Sequence, residues 1–266
     1  MPLSSSAVTT PSSLEWTNFT RVPIENSMFC NFGNETAFKN YRSKVSLAGG
    51  MAKRLANLRW RAAQAAEILW WRQYLKRKPP EAYLAQKKAY WERLLSEQGM
   101  GAPEGAEVLD AGCGPAGVFM VLGGAKVTAL DPLLDRYAAL PHFAEADYPG
   151  VAFRQQALEA LNEEARYDLI YCLNAINHVK SLDRSLASLY RSLKPGGTCW
   201  LSTDAHHFPW LQPVFAALPG DILHPHQFTQ EQYLRRLLRA GFAIKGQRLL
   251  KRDGLFDYWL FELVKR

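Results

Sequence analysis

The sequence predicts an α/β fold: a doubly wound, seven-stranded, mostly parallel sheet with a terminal antiparallel hairpin, preceded by an N-terminal helical cap. Three observations predict it. From residue 107 onward, short apolar runs alternate with helix-like stretches, the rhythm of βα units whose parallel strands need crossover helices. Tyr167–Leu173 (YDLIYCL) is a nearly unbroken apolar run, as expected of a strand buried on both faces. Asp253-Gly254 separates two strand-like stretches at the end of the chain, a hairpin signal.

The rhythm changes near Gly99-Met100-Gly101-Ala102-Pro103. Residues 1–27 read as a flexible tail, 28–100 as the helical cap and substrate lid, and 101–266 as the α/β domain. Within the cap, residues 51–78 place Leu55, Leu58, Ala62, Ala65 and Leu69 at three- and four-residue steps, with Arg and Lys between them. Pro79-Pro80 stops that helix and suits the first turn of the next. Residues 81–98 repeat the pattern and end at Gly99, a natural C-cap. In the α/β domain, strands are predicted at 107–110, 126–130, 151–155, 167–173, 198–202, 242–250 and 255–264. Helices are predicted over Pro115–Leu122, Leu134–Phe143 and Leu182–Leu193. A further helix should be capped by Thr229, with Gln232 completing a capping box.

The composition, 48% hydrophobic and 21% charged, is that of an ordinary globular enzyme. No apolar run approaches the roughly 18 residues of a membrane span, so no stable membrane insertion is expected. The opening MPLSSSAVTTPSSLEW lacks the basic and apolar regions of a secretory signal, and the first arginine is Arg21. Cys30, Cys113, Cys172 and Cys199 show no metal-like spacing. Reduced thiols in a cytoplasmic protein are the expected state.

The net charge of +7 is unevenly placed. Residues 35–98 carry 14 Lys/Arg against 5 Asp/Glu, whereas residues 99–266 carry 17 against 18. The excess positive charge therefore lies in the cap, where it can attract an anionic partner or form a solvated helical face.

The sharpest motif is Val108-Leu109-Asp110-Ala111-Gly112-Cys113-Gly114-Pro115-Ala116-Gly117. A strand runs into a glycine-rich turn, where the backbone can bend tightly and a ligand can approach closely. Asp131 closes the next strand, where a carboxylate can accept two hydrogen bonds from ribose hydroxyls. DAGCGPAG, Asp131, YDLIYCLNAINHV and LYRSLKPGGTCWLS together resemble, in order and spacing, the class I S-adenosylmethionine-dependent methyltransferases over about residues 105–266. The resemblance implies S-adenosyl-L-methionine as cofactor, held by Asp110, Gly112, Gly114, Gly117, Asp131, Pro132, Gln156, Ala157 and Asn174. Gln155-Gln156-Ala157-Leu158 departs from the family's usual Asp-containing pair at the adenine. An acid at the head of the loop suits a sulfonium and an amino group and would repel a pyrophosphate, which disfavours a nicotinamide cofactor.

Methyl transfer is an in-line displacement that depends on positioning. A base is needed only when the nucleophile must lose a proton. Candidates are His178 after the fourth strand, and Asp204, His206 and His207 after the fifth; Asn174 and Asn177 share the first of these loops. His178 also reads as a packing residue. His206, His207, His224 and His226 together suggest a metal site, but the stretch resembles an ordinary lead into the late helix and no metal is expected. Trp60, Trp70, Trp71, Tyr74, Tyr83, Tyr90 and Trp91 read both as core packing and as a lid over the cofactor and substrate.

The expected activity is methyl transfer to a small-molecule acceptor, anionic or lipid-like. The acceptor atom and oligomeric state are left open. Two alternatives remain: cyclisation or cleavage of S-adenosylmethionine on the same fold, and RNA methylation along the basic segment. No base-recognition module accompanies that segment, so nucleic acid is the less favoured partner.

Overall fold

The computed structural model describes residues 57, 58, 60–206, 226, 228–254 and 256–266. The expected tail, the first half of the cap, Cys30, His207 and His224 lie outside the described residues.

Two helices come first, α1 over 60–75 and α2 (Pro80–Gln98). Pro79-Pro80 separates them, and Gly99 caps α2 in the left-handed conformation. The sheet then alternates β1 (Glu107–Ala111), β2 (Lys126–Asp131), α3 (Leu134–Tyr137), β3 (Val151–Gln155), β4 (Tyr167–Leu173), α4 (Leu182–Ser192), β5 (Leu193–His206), α5 (Gln230–Arg239), β6 (Ala243–Arg252) and β7 (Phe256–Val264). The order across the sheet is β3-β2-β1-β4-β5-β7-β6. β7 runs antiparallel to both neighbours and the other pairings are parallel. The predicted seven-stranded, mostly parallel sheet with its terminal hairpin is therefore present.

Both sheet faces are covered, which explains the continuous apolar strands. On β1 and β4, Val108 and Leu169 pack with Ile68, Leu75, Tyr83, Trp91 and Leu94 of α1 and α2. Their neighbours Leu109 and Ile170 face the other way, onto Leu186 and Leu189 of α4 and Tyr233 and Leu237 of α5. The amphipathic stripes of α1 and α2 are thus part of the sheet's own core. Trp91 also donates its indole N–H to the Ala116 carbonyl (2.9 Å), and the Tyr171 hydroxyl bonds the Met100 carbonyl. The Thr229–Gln232 capping box forms in both directions, at 3.3 and 3.0 Å.

Three predicted bounds change. The helix expected over 115–122 is a single 3₁₀ turn, Val118–Val121. Gly117 is extended, so the turn begins only at Val118, where the Asp110 carboxylate accepts the free first-turn N–H of Phe119. The helix expected to reach Phe143 stops at Tyr137. Pro141 has no N–H to donate and disfavours helical geometry at the residue before it. β5 is longer than the predicted five residues because β7 pairs it from Thr198 to His206.

Candidate active site

A cavity of about 580 Å³ lies at the carboxyl ends of the parallel strands, with its outer wall formed by α1 and α2. Ligands of open α/β sheets collect at this edge, because the strands end there in loops while helices cover the faces.

At the β1–β2 end, the backbone builds the wall. The Gly112 and Cys113 N–H groups both donate to the Leu130 carbonyl, at 2.7 and 3.1 Å, which folds the glycine loop over β2. Gly112 has φ +77°, and a Cβ there would stand 2.3 Å from that of Ala175. The space Gly112 leaves open is therefore filled by protein. Gly114 (φ +58°) borders the cavity itself, and a Cβ there would meet only the Trp71 ring, 4.0 Å away. The Asp131 carboxylate accepts the Gly114 N–H (3.0 Å) and the Leu133 N–H (2.9 Å), one on each oxygen. A carboxylate has about four acceptor sites, so each oxygen keeps capacity facing the cavity. Burial raises the Asp131 pKa to about 7, with the Glu67 carboxylate adding to it and the two backbone donors opposing.

Asp110 has a different place. It is buried, its carboxylate accepts the Phe119 N–H at 3.0 Å, and it does not line the cavity. Burial raises its pKa to about 7 as well. A Cβ on Gly117 would lie 2.4 Å from the Cys113 carbonyl and 2.5 Å from Asp110 Oδ2. Gly117 and Asp110 thus hold the loop from beneath. Pro132, Ala157 and Asn174 are on the cavity wall, whereas Gln156 is not. The Gln156 side-chain amide donates to the Ala160 carbonyl at 2.6 Å.

At the β5–β7 end, side chains build the wall. Because β7 is antiparallel, its first residues reach the same edge as the last residues of β5. Register sets Asp204 opposite Tyr258, and Tyr258 opposite Lys251, a row of three cavity-lining side chains across three strands. The Tyr258 hydroxyl is 2.6 Å from Ser202 Oγ, which also accepts the Asn174 N–H at 3.0 Å. Asn174 holds φ +54°, unusual for a residue with a side chain. α2 adds Lys87 and Tyr90, with the Lys87 ammonium 5.5 Å from the Tyr90 ring centre and 5.9 Å from that of Trp91. Burial lowers the Lys87 pKa.

The candidate catalytic residues separate. His178 and Asp204 line the cavity. His206 is buried with its ring 4.2 Å from that of Phe256 and is not on the wall. Asn177 is also buried away from the wall, and its Oδ1 has no hydrogen-bond partner among the described residues. Trp70, Trp71 and Tyr74 are all on the α1 wall, with the Trp70 and Tyr74 rings stacked at 4.7 Å. Sequence reasoning missed Glu67, Lys87, Lys251 and Tyr258. Glu67 had a usable signal, being the one acid among the basic residues of 51–78. Among the described residues, no three metal-ligating side chains come together.

Comparison with known proteins adds a family. A profile described as a methyltransferase domain matches residues 83–245, more than half of the chain. The chain belongs to this methyltransferase-domain family. Its match begins inside α2, so part of the expected cap lies within it. Among curated relatives, the chain is similar to a malonyl-[acyl-carrier protein] O-methyltransferase of Pseudescherichia vulneris, 34% identical over 157 residues (55% of this chain, 57% of that one). It is also similar to a ubiquinone biosynthesis O-methyltransferase of Rickettsia akari, 29% identical over 46% of each chain. The chain spans about half the length of these relatives. Among solved structures, the Burkholderia thailandensis 1,6-didemethyltoxoflavin-N1-methyltransferase with bound S-adenosylhomocysteine shares the fold. Its TM-score is 0.54 at 21% identity, over 80% of this chain and 89% of that one.

Proposed function

We propose that this methyltransferase-domain chain binds S-adenosylmethionine at the β1–β2 end of its cavity and transfers the methyl group to a small acceptor at the β5–β7 end. The supporting observation is one continuous cavity whose two ends are built from different chemistry. The glycine loop and Asp131 carry the backbone cradle and carboxylate that suit an adenosine and an amino-acid chain. Asp204, Tyr258, Lys251 and Lys87 carry polar groups that the cofactor end does not need.

The residues fit the cofactor. Gly114 leaves the wall open where a side chain would intrude, Asp131 keeps acceptor capacity for ribose hydroxyls, and Ala157 puts only a small side chain on the wall. Asp110 and Gly117 shape the loop from beneath. When bound, the cofactor supplies an activated methyl group. The chain's part is to hold the acceptor in line, exclude water with the aromatic faces of α1 and α2, and accept a proton where the nucleophile carries one. Asp204 is placed for that proton, with His178 as the other cavity-lining candidate. An acceptor with an anionic group is favoured by Lys87, which has no carboxylate partner among the described residues. A half-buried cation gains most from a counter-charge.

The test begins with the full chain and S-adenosylmethionine or S-adenosylhomocysteine, each of which should raise the melting temperature as a native-state ligand. NADH giving the larger shift would overturn the cofactor reading. Mass spectrometry of a cell extract incubated with chain and cofactor should then show S-adenosylhomocysteine and a product heavier by one methyl group. Methylthioadenosine appearing without such a product would assign cofactor cleavage instead.

A further inference from the structure

Glu67 belongs to α1, the helix expected to serve the acceptor, yet it stands at the cofactor end of the cavity. It is half-buried and lines the wall together with Asp131. A phenol stands beside them: Tyr137, fully buried at the end of α3, donates its hydroxyl to Glu67 Oε1 at 3.2 Å. The same hydroxyl favours the charged form of Asp131, while Glu67 disfavours it more strongly than any influence except burial. Both acids raise the Tyr137 pKa in return.

Two carboxylates converging in a closed space repel one another unless donors lie between them. Asp131 already accepts two backbone N–H groups and Glu67 the Tyr137 hydroxyl, while each carboxylate has about four acceptor sites. A ligand with hydroxyls on adjacent carbons brings two more donors, one for each acid. Family membership and the glycine loop supply the reason to expect such a ligand independently of the acids, since ribose carries that pair of hydroxyls. We propose that Glu67 and Asp131 form a two-carboxylate clamp on the vicinal diol of the cofactor ribose, with Asp131 holding one hydroxyl and Glu67 the other. The inference rests on the cofactor reading above.

The clamp links the cofactor to the acceptor wall. Trp60, Gln64, Trp70, Trp71 and Tyr74 lie on the same helix as Glu67 and on the same cavity. The clamp thereby puts one contact of the cofactor on the helix that also supplies the acceptor wall.

The test measures binding, not turnover. Full-length wild type and Glu67→Gln are titrated calorimetrically with S-adenosylhomocysteine and with its 2′-deoxy and 3′-deoxy analogues. Glutamine keeps an oxygen for the Tyr137 hydroxyl but loses the charge. The variant should bind S-adenosylhomocysteine about tenfold more weakly, the difference between a charged and a neutral acceptor. That loss should shrink to about twofold or less for one of the two deoxy analogues, because the missing hydroxyl is Glu67's partner. The unliganded variant should melt no lower than wild type, since a repulsion has been removed. An unchanged affinity for S-adenosylhomocysteine, or an equal loss for all three ligands, would overturn the clamp while leaving the cofactor reading intact. Wild type that binds none of the three would overturn both.

Discussion

The two ends of the cavity are made by different means. At the β1–β2 end, a few consecutive residues fold on themselves: Gly112, Cys113 and Gly114 bond to Leu130 and Asp131 through their own N–H groups. At the β5–β7 end, Lys87, Tyr90, Asp204, Lys251 and Tyr258 come from four elements far apart in the chain, brought together by β7 running against its neighbours. The first end has a local cause and the second a topological one. Local backbone geometry tolerates little change, whereas a wall of separate side chains can be rebuilt one residue at a time. That difference suits a shared cofactor and a particular acceptor.

The largest expected effect lies where α2 ties both ends to the sheet. Trp91 is buried, lines the cavity and bonds the Ala116 carbonyl. Trp91→Ala should cost about 3–5 kcal/mol of stability, read by chemical denaturation. A much smaller loss would show that α2 is a detachable cap and would break the view of one shared core.

Asp131→Asn should weaken S-adenosylhomocysteine binding by about ten- to a hundredfold, the range for a lost hydrogen bond to a charged group. Calorimetry checks it. Asp204→Asn, at the other end, should leave that affinity unchanged, and a comparable loss would erase the division between the ends.

The pH dependence sharpens the same contrast. Asp110 and Asp131 both have pKa values raised to about 7, chiefly by burial. A carboxyl that ionises less readily in the fold than in the unfolded chain favours the fold at low pH. Its contribution is complete below about 4, the ordinary carboxylate value, and is lost as pH rises through about 7. Ribose hydroxyls favour charged Asp131, so cofactor binding should release protons over this range. The gap in melting temperature between S-adenosylhomocysteine-bound and unliganded protein should therefore widen from pH 5.5 to 8. Glu67 and Tyr137 face the same carboxyl, and Glu67→Gln should move the change to lower pH. A gap constant with pH would place the ribose elsewhere.

The smallest effect is expected at Gln156. Its amide is turned to Ala160 and away from the cavity, so Gln156→Ala should change cofactor affinity by about twofold or less. A larger loss would show that this side chain turns toward the adenine on binding.

Much of the fold was legible because its signals are local. The continuous apolar run of β4, the Thr229–Gln232 box and the Pro79-Pro80 break each act through neighbours in the chain. The failures were also local: Pro141 and the extended Gly117 cut short two helices that apolar spacing alone extended. Within the site, Gly114, Asp131 and Ala157 were readable from their places after strands. His206 was misleading because it lies two residues beyond Asp204 on β5, where it pairs with Phe256 and packs on that ring, past the stretch that lines the cavity.

The sequence by itself determined the strand–helix alternation, the glycine loop and the acid that closes β2, because each depends on residues within a few positions of one another. Only the tertiary structure decided which acids and cations share a cavity. Glu67 shares a cavity with Asp131 because α1 packs against Tyr137 of α3, and Tyr258 meets Asp204 because β7 enters between β5 and β6 in the reverse direction. Such encounters depend on packing and register across long stretches of chain, which no local pattern of residues encodes.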